Sequence, residues 1–391
     1  TGNSTMNFTN PPLLVDWSNS GEGIQYYNPV IGPDVEDVEY ANGGNFVSVL
    51  SSTSTDTLSI LGCPPAHRHY NGTVRVGRHP MGVALGYTQK TAWAFAASPL
   101  DGTLAAVFLD IPNGEQMGDR TGEVVYFDAA TGEALETRKD GQLIDSEGRG
   151  GGQQGFHEIP GEPGPRSEAG VLLGPEDLAL IQGNNWDKDH VAWLAVSNAA
   201  SDTVSIFDAA PFLRGKHPNL LLVGTFTGIE HPRKLHWIGN QYLWVGSNPG
   251  NTVTRLSIDK LPTLDNSTNE TYTVGKNPVY MREVAAWWNQ SFLVVANSGD
   301  DSVTLLKEDG TLVGTLDASN GPPLSEPYGV WASYDGLRFM VSNRSGDYAA
   351  WWNVRRRLEG WKFEGLEDVI VSSGLVHTGP GVTALDGDYI P

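Results

Sequence analysis

Apolar and polar positions alternate with period two in short runs along most of the chain, bounded by Gly, Pro, Asn and Asp. The runs GVWASYDG (from Gly329), LRFMVSN (from Leu337), DTVSIFD (from Asp202) and NLLLVGTF (from Asn219) are examples. Period two predicts half-buried β-strands, and runs this short separated by turn residues predict an all-β chain of hairpins. Polar stretches such as Ser197-Asn198-Ala199, Ser247-Asn248-Pro249-Gly250, Asn297-Ser298-Gly299-Asp300 and Ser342-Asn343-Arg344 read as turns between second and third strands, because Asn, Asp and Gly tolerate positive φ.

The pattern repeats. A proline preceded by a small or polar residue and followed by an apolar run recurs at Pro33, Pro80, Pro175, Pro232, Pro278, Pro327 and Pro380, with spacings of 47, 95, 57, 46, 49 and 53 residues. A period near 50 built from strands marks propeller blades rather than a helical solenoid. The expectation is a seven-bladed β-propeller of four-stranded antiparallel blades, forming one domain over residues 1–391. After Pro380 only one further strand fits, so the last blade is expected to close with N-terminal strands around LLVDWS (from Leu13), which removes the free sheet edge. In the 95-residue interval, PMGVALG, TAWAFAAS, TLAAVFL and EVVYFDA already make four strands. Residues 138–172, glycine-rich and charged with no strand period, therefore read as a long insertion on the pocket face.

AWLAVSNAASDTVSIFD (from Ala192) and FLVVANSGDDSVTLL (from Phe292) resemble the YVTN-type propeller repeat. The resemblance covers most of residues 30–390 and implies the fold; propellers host many chemistries, so it implies no single activity.

Composition narrows the partners. With 25 basic against 46 acidic residues the net charge is −21, which argues against nucleic acid and anionic membrane. No apolar stretch is long enough to span a bilayer. The chain starts at Thr1, and sequons occur at Asn3, Asn7, Asn71, Asn266, Asn269, Asn289 and Asn343. Together these suggest a secreted glycoprotein whose signal peptide has been removed. A single cysteine, Cys63, reads as a buried bystander thiol.

In a propeller the loop leading into each first strand opens on one face, so residues flanking the recurrent proline should converge on one pocket. Those residues are Arg78, His79 and Met81; Glu230, His231 and Arg233; Asn277, Tyr280 and Arg282; Glu326 and Tyr328; and His377. From the insertion, His157, Arg166, Gln153 and Gln154 could cap it. A set this basic in so acidic a chain suits a carboxylate ligand, with arginine binding it bidentately and histidine or tyrosine moving protons. His79, His231, Tyr328 and Tyr280 are the catalytic candidates; Arg78, Arg233, Arg282, His157, Arg166, Asn277, Glu326 and His377 are the substrate-binding ones. No cofactor is expected, although Asp34, Glu36, Glu176 and Asp177 offer the carboxylate oxygens of a structural calcium. His67 and His69 read as loop residues, and the Trp287-Trp288 and Trp351-Trp352 pairs as one packed and one exposed ring each.

The inventory matches β-elimination on a uronic acid: cations neutralise the carboxylate, one group takes the α-proton, and another protonates the leaving oxygen. The same acids leave glycoside hydrolysis open. A sequon-bearing single propeller of this kind resembles the fungal rhamnose–glucuronate lyases that act on gum arabic. The resemblance implies an acidic polysaccharide substrate, an extracellular location and a monomer. A carboxy-muconate-type lactonising propeller, a lactonase, or a non-catalytic glycan-binding propeller are the alternatives.

Overall fold

A computed structural model describes residues 35–41, 46–63, 71–87, 92–109, 122–139, 142–144, 164–182, 191–238, 241–286, 290–333, 336–355 and 365–378. The chain divides into two compact units, Thr1–Thr225 and Phe226–Pro391. Each consists of antiparallel sheets whose strands follow one another in chain order.

In the first unit, β1 (Val35–Ala41), β2 (Phe46–Ser52), β3 (Thr57–Cys63) and β4 (Asn71–Arg75) form the first sheet. The second sheet comprises β5 (Val83–Tyr87), β6 (Ala92–Ser98), β7 (Thr103–Phe108), β8 (Val124–Asp128) and β9 (Ala134–Arg138). The chain then adds β10 (Gln142–Ile144) to the outer edge of the first sheet, beside β4. After helix α1 (Glu168–Leu173), β11 (Pro175–Gln182), β12 (Ala192–Asn198), β13 (Thr203–Asp208) and β14 (Leu221–Thr227) make the third sheet, with helix α2 (Ala210–Leu213) between its last two strands. Two of these sheets thus carry five strands where four were expected. The ends of the supposed insertion are also structured, because β10 pairs with β4 and α1 packs on the β6–β7 turn. There a Cβ on Gly170 would come within 1.8 Å of the Gly102 carbonyl.

The second unit repeats a plainer blade three times. Its sheets are β15 (Pro232–Ile238), β16 (Tyr242–Ser247), β17 (Thr252–Ser257) and β18 (Glu270–Thr273); β19 (Pro278–Ala286), β20 (Gln290–Asn297), β21 (Ser302–Lys307) and β22 (Leu312–Leu316); and β23 (Pro327–Ala332), β24 (Arg338–Asn343), β25 (Tyr348–Val354) and, after helix α3 (Leu366–Val369), β26 (Ile370–His377). Within each unit the first strands lie beside one another, β1–β5–β11 and β15–β19–β23, so the sheets fan outward from them.

Burial follows that arrangement. β6 and β7 are buried at every position, since both faces of an inner strand meet neighbouring sheets, and they read as continuous apolar runs. The outermost β26 is mostly exposed. Aromatic rings fill the wedges between sheets. Phe212 of α2 stands 4.7 Å from Trp93 and 5.0 Å from Phe127 between the second and third sheets, and Phe339 stacks on fully buried Trp352 at 5.0 Å. The partner ring Trp351 is half-buried over Gly374, which accords with one packed ring in that pair; Trp287 and Trp288 lie outside the described residues. The strands expected to close a seventh blade, before residue 35 and after residue 378, also lie outside them.

Candidate functional site

Five first strands are entered by the same backbone device. The residue before the proline adopts left-handed φ: 57° at His79, 64° at Gly174, 43° at His231, 54° at Asn277 and 48° at Glu326. For a side-chain-bearing residue this region is strained, and a following proline narrows the choices further. Three of these residues are held by a side chain from the preceding sheet. Asp56 Oδ1 accepts from the His79 N–H at 2.9 Å, Asn251 Oδ1 from Asn277 at 3.0 Å, and Asp301 Oδ1 from Glu326 at 2.8 Å. Those acceptors, each just before a third strand, are themselves left-handed at 59°, 53° and 52°. The Asn and Asp of the hairpins therefore serve two ends at once, satisfying positive φ locally and clasping the next sheet.

The clasp absorbs several residues read from sequence as substrate binders. Arg78 donates through Nε and Nη2 to Asp101 Oδ1, each at 2.6 Å, and its backbone N–H donates to Oδ2 at 2.6 Å. Asp101 is 1% exposed, and its hydrogen bonds and charge raise the Arg78 pKa further. Arg78 is a strut, because its guanidinium is already committed to a carboxylate. Asn277 donates to Ser298 Oγ at 2.5 Å and accepts from Asn248, which fixes its amide inside the turn. The Glu326 carboxylate accepts from the Ser345 hydroxyl, again within the clasp.

Other nominations lie elsewhere. His377 ends the outermost strand β26, 77% exposed and 3.4 Å from Asp347, so it is not on a first strand. Arg166 pairs with Glu168 at 2.9 Å on the surface ahead of α1. His157, Gln153, Gln154, His67, His69 and Asp34 fall outside the described residues, as do Asn3, Asn7 and Asn289. Among the described residues no group of three or more His, Cys, Asp or Glu gathers as a metal site. Asn343 is fully buried, with Oδ1 accepting from Ser325 and Nδ2 donating to the Tyr348 carbonyl, which leaves no room for a glycan. Asn266 is exposed. The tyrosines are rings of the core between the second unit's last two sheets: Tyr280 and Tyr328 are each 7% exposed among Val284, Phe292 and Val330. Packing is their first role.

Beyond the proline, the second unit's first strands bring a different group together. On β15, Lys234 and His236 share one face by period two. Lys234 Nζ stands 4.7 Å from the centroid of Tyr280 on β19, and Arg344 lies 5.2 Å from that of Tyr328 on β23. His236 reaches across to β19, where its Nε2 accepts from the Glu283 backbone N–H at 3.0 Å. That bond requires the Nε2 lone pair and so places the ring proton on Nδ1. Desolvation, then the charges of Arg282 and Lys234, push the His236 pKa down to about 3. The imidazole is therefore neutral at physiological pH, a donor through Nδ1 rather than a base. Arg233 and Arg282 were legible in sequence as cations after a proline. Lys234 and His236 were not singled out, although PRKLHWI (from Pro232) shows their shared face.

No protein-family model matches the chain, and no curated protein matches it. Solved structures do match. The chain is similar to virginiamycin B lyase from Staphylococcus aureus at 7% identity, with 83% of each chain covered and a TM-score of 0.50. It is similar to Kuenenia stuttgartiensis hydrazine synthase at 13% identity, covering 94% of this chain and 93% of that one, with a TM-score of 0.54. A periplasmic gluconolactonase of Pseudomonas aeruginosa aligns at 10% identity over 92% and 88% of the two chains, with a TM-score of 0.52. At such identities the likeness speaks for the fold alone. It supports the β-propeller reading, and these neighbours are enzymes.

Proposed function

We propose that the chain is a propeller lyase that cleaves a glycosidic bond to a uronic acid by β-elimination, releasing terminal L-rhamnose from a rhamnosyl-glucuronate of an acidic plant polysaccharide. The reading is carried by Lys234 and Arg282, on adjacent first strands and both close enough to His236 to act on its proton equilibrium. In a chain of net charge −21, basic groups gathered at one point suit an anionic ligand.

In this proposal Arg233, Lys234 and Arg282 neutralise the uronate carboxylate, which acidifies the proton α to it. The neutral His236 adds an Nδ1–H donor. His231, at the mouth of β15, takes the proton. The bond from the β-carbon to the glycosidic oxygen then breaks, a C=C forms in the uronate, and the leaving oxygen takes a proton from Tyr280, Tyr328 or solvent. The proposal includes one seven-bladed domain closed by its two ends, on the recurrence at Pro380, an extracellular location, on the sequons, and a monomeric state. Virginiamycin B lyase lends a precedent for a lyase on a similar fold. The gluconolactonase supports a second reading, a lactonase using the same cations.

Incubation with gum oligosaccharides should yield an unsaturated uronate, seen as new ultraviolet absorbance and as product lighter by one water than the hydrolysis product. Arg282→Ala and Lys234→Ala should abolish it, with Arg166→Ala unchanged. Hydrolysed product, lactone turnover alone, or full activity in Arg282→Ala sinks the elimination reading.

A further inference from the structure

At the far ends of the second unit's sheets from the proline-led openings, a cleft of about 320 Å³ lies between the β15–β16 and β21–β22 turns. That volume is at the small end of sites for low-molecular-weight ligands, about 300–1,000 Å³. One wall is apolar, made by Phe292, Val313 and Val369. The other carries Gln241, Ser291, Lys307, Glu308 and Asp309.

The polar wall is built around one arginine. Arg255, its side chain 13% exposed, lies 4.4 Å from the Tyr242 centroid and 5.9 Å from those of Trp244 and Tyr272. It donates to the Glu308 carbonyl at 2.6 Å and to the Glu270 carboxylate. The Tyr272 hydroxyl donates to Glu270 and lies 3.1 Å from the Asp309 carbonyl. Burial first, and then the bond to Glu270, push the Tyr272 pKa up to about 12, so the phenol stays protonated. Hydrogen bonds from Thr311 hold Asp309 below the usual carboxylate range, and its carboxylate is an acceptor at neutral pH. Three aromatic rings and an ion pair thus hold the Arg255 side chain against the β21–β22 turn.

The lining mixes both signs: Arg255 and Lys307 stand with Glu308 and Asp309, and Arg255 is already paired with Glu270, so an anion meets two carboxylates and a cation meets the Lys307 ammonium. What such a wall satisfies is a neutral molecule with many groups that both donate and accept, and with one apolar face for Phe292, Val313 and Val369. The geometry points to a second, non-catalytic binding site here for a neutral sugar, one pyranose ring or two at most. This inference does not rest on the lyase reading.

Saturation-transfer NMR and calorimetry on the full chain would test it, with methyl α-D-glucopyranoside, methyl α-L-rhamnopyranoside and N-acetylglucosamine as neutral probes and inorganic phosphate and glycine as charged ones. A neutral glycoside should bind. Gln241→Ala and Lys307→Met should each weaken it about fivefold, the loss of one hydrogen bond, with melting temperature unchanged. Arg282→Ala, at the other site, should leave it intact. Binding of phosphate or glycine in place of the glycosides overturns the inference, as does affinity indifferent to both cleft variants or no glycoside binding at millimolar concentration. Gln241 is exposed, so its variant tests the site even should Lys307→Met misfold.

Discussion

The openings of the second sheet, in the first unit, and of the fourth, in the second unit, are the same backbone device with opposite uses of positive charge. In Arg78-His79-Pro80 the cation precedes the proline and is spent on Asp101. In His231-Pro232-Arg233-Lys234 the cations follow the proline, and Lys234 lies over an aromatic ring beside a neutral imidazole. The side of the proline decides the role. Arg78 and His79, before it, belong to the clasp that ties one sheet to the next, whereas Arg233 and Lys234, after it, are on a first strand.

The largest effect that would sharpen this contrast is acid destabilisation through His236. Folded His236 takes a proton only near pH 3, while unfolded histidine takes one near 6.5. Between those values the unfolded chain binds a proton that the folded chain refuses, so the stability held above pH 6.5 is lost as pH falls. The loss grows by about 1.4 kcal/mol per pH unit and reaches about 3 kcal/mol at pH 4. His236→Gln keeps an acceptor for the Glu283 N–H without a titrating ring. Urea melts of the two proteins should diverge below pH 6.5, and parallel curves would break the assignment. Arg78 has no counterpart effect, since its raised pKa leaves it charged throughout.

Next comes Asp101→Ala, which strips the Arg78 guanidinium and backbone N–H of their acceptor and should cost about 2–3 kcal/mol. Arg166→Ala, which removes only an exposed pair with Glu168, should cost well under that in the same denaturant titration. Equal losses would mean that both cations are struts. A symmetric control follows from Gly77 and Gly275, which stand alike in Val-Gly-Arg-His-Pro and Val-Gly-Lys-Asn-Pro. A Cβ at Gly77 would meet Ser98 Cβ at 2.5 Å, and one at Gly275 would meet Asn297 Nδ2 and Ser302 Oγ at 2.6 Å. Either alanine should destabilise by about 1–3 kcal/mol, alike in both units, because the clasp is shared even where the chemistry is not.

The fold was legible because a blade is local. Strand runs in sequence, a turn with Asp or Asn before the third strand and a proline before the first recur within each sheet, and the six sheets of the described residues follow that order. What stayed hidden depends on partners distant in sequence. Nothing near Arg78 announces that Asp101 will claim it, and nothing near Asn343 announces that Ser325 and Tyr348 will bury its amide. The four-strand rhythm also conceals β10, whose run is too short to show a period and which gains its pairing from β4. His236 was passed over because its function is across a sheet boundary, on the Glu283 amide. Arg233 and Arg282 were readable since each needs only its place after a proline.

Lys234 offers the smallest and most specific test of the difference between the openings. A cation over an aromatic face contributes about 0.5–1 kcal/mol at a partly exposed site, so Lys234→Met should lower stability at neutral pH by no more than that. The methionine keeps the aliphatic stem against Tyr280 and removes the charge. Of the three causes that depress His236, this charge comes third, after desolvation and Arg282, so its removal should raise the histidine pKa by a fraction of a unit and leave it far below 6.5. An NMR titration of the His236 ring would read that rise directly. Arg78→Met in the first unit should leave the same titration unmoved. Should Lys234→Met leave it unmoved as well, the two cations would be equivalent bystanders, and the proline would separate nothing.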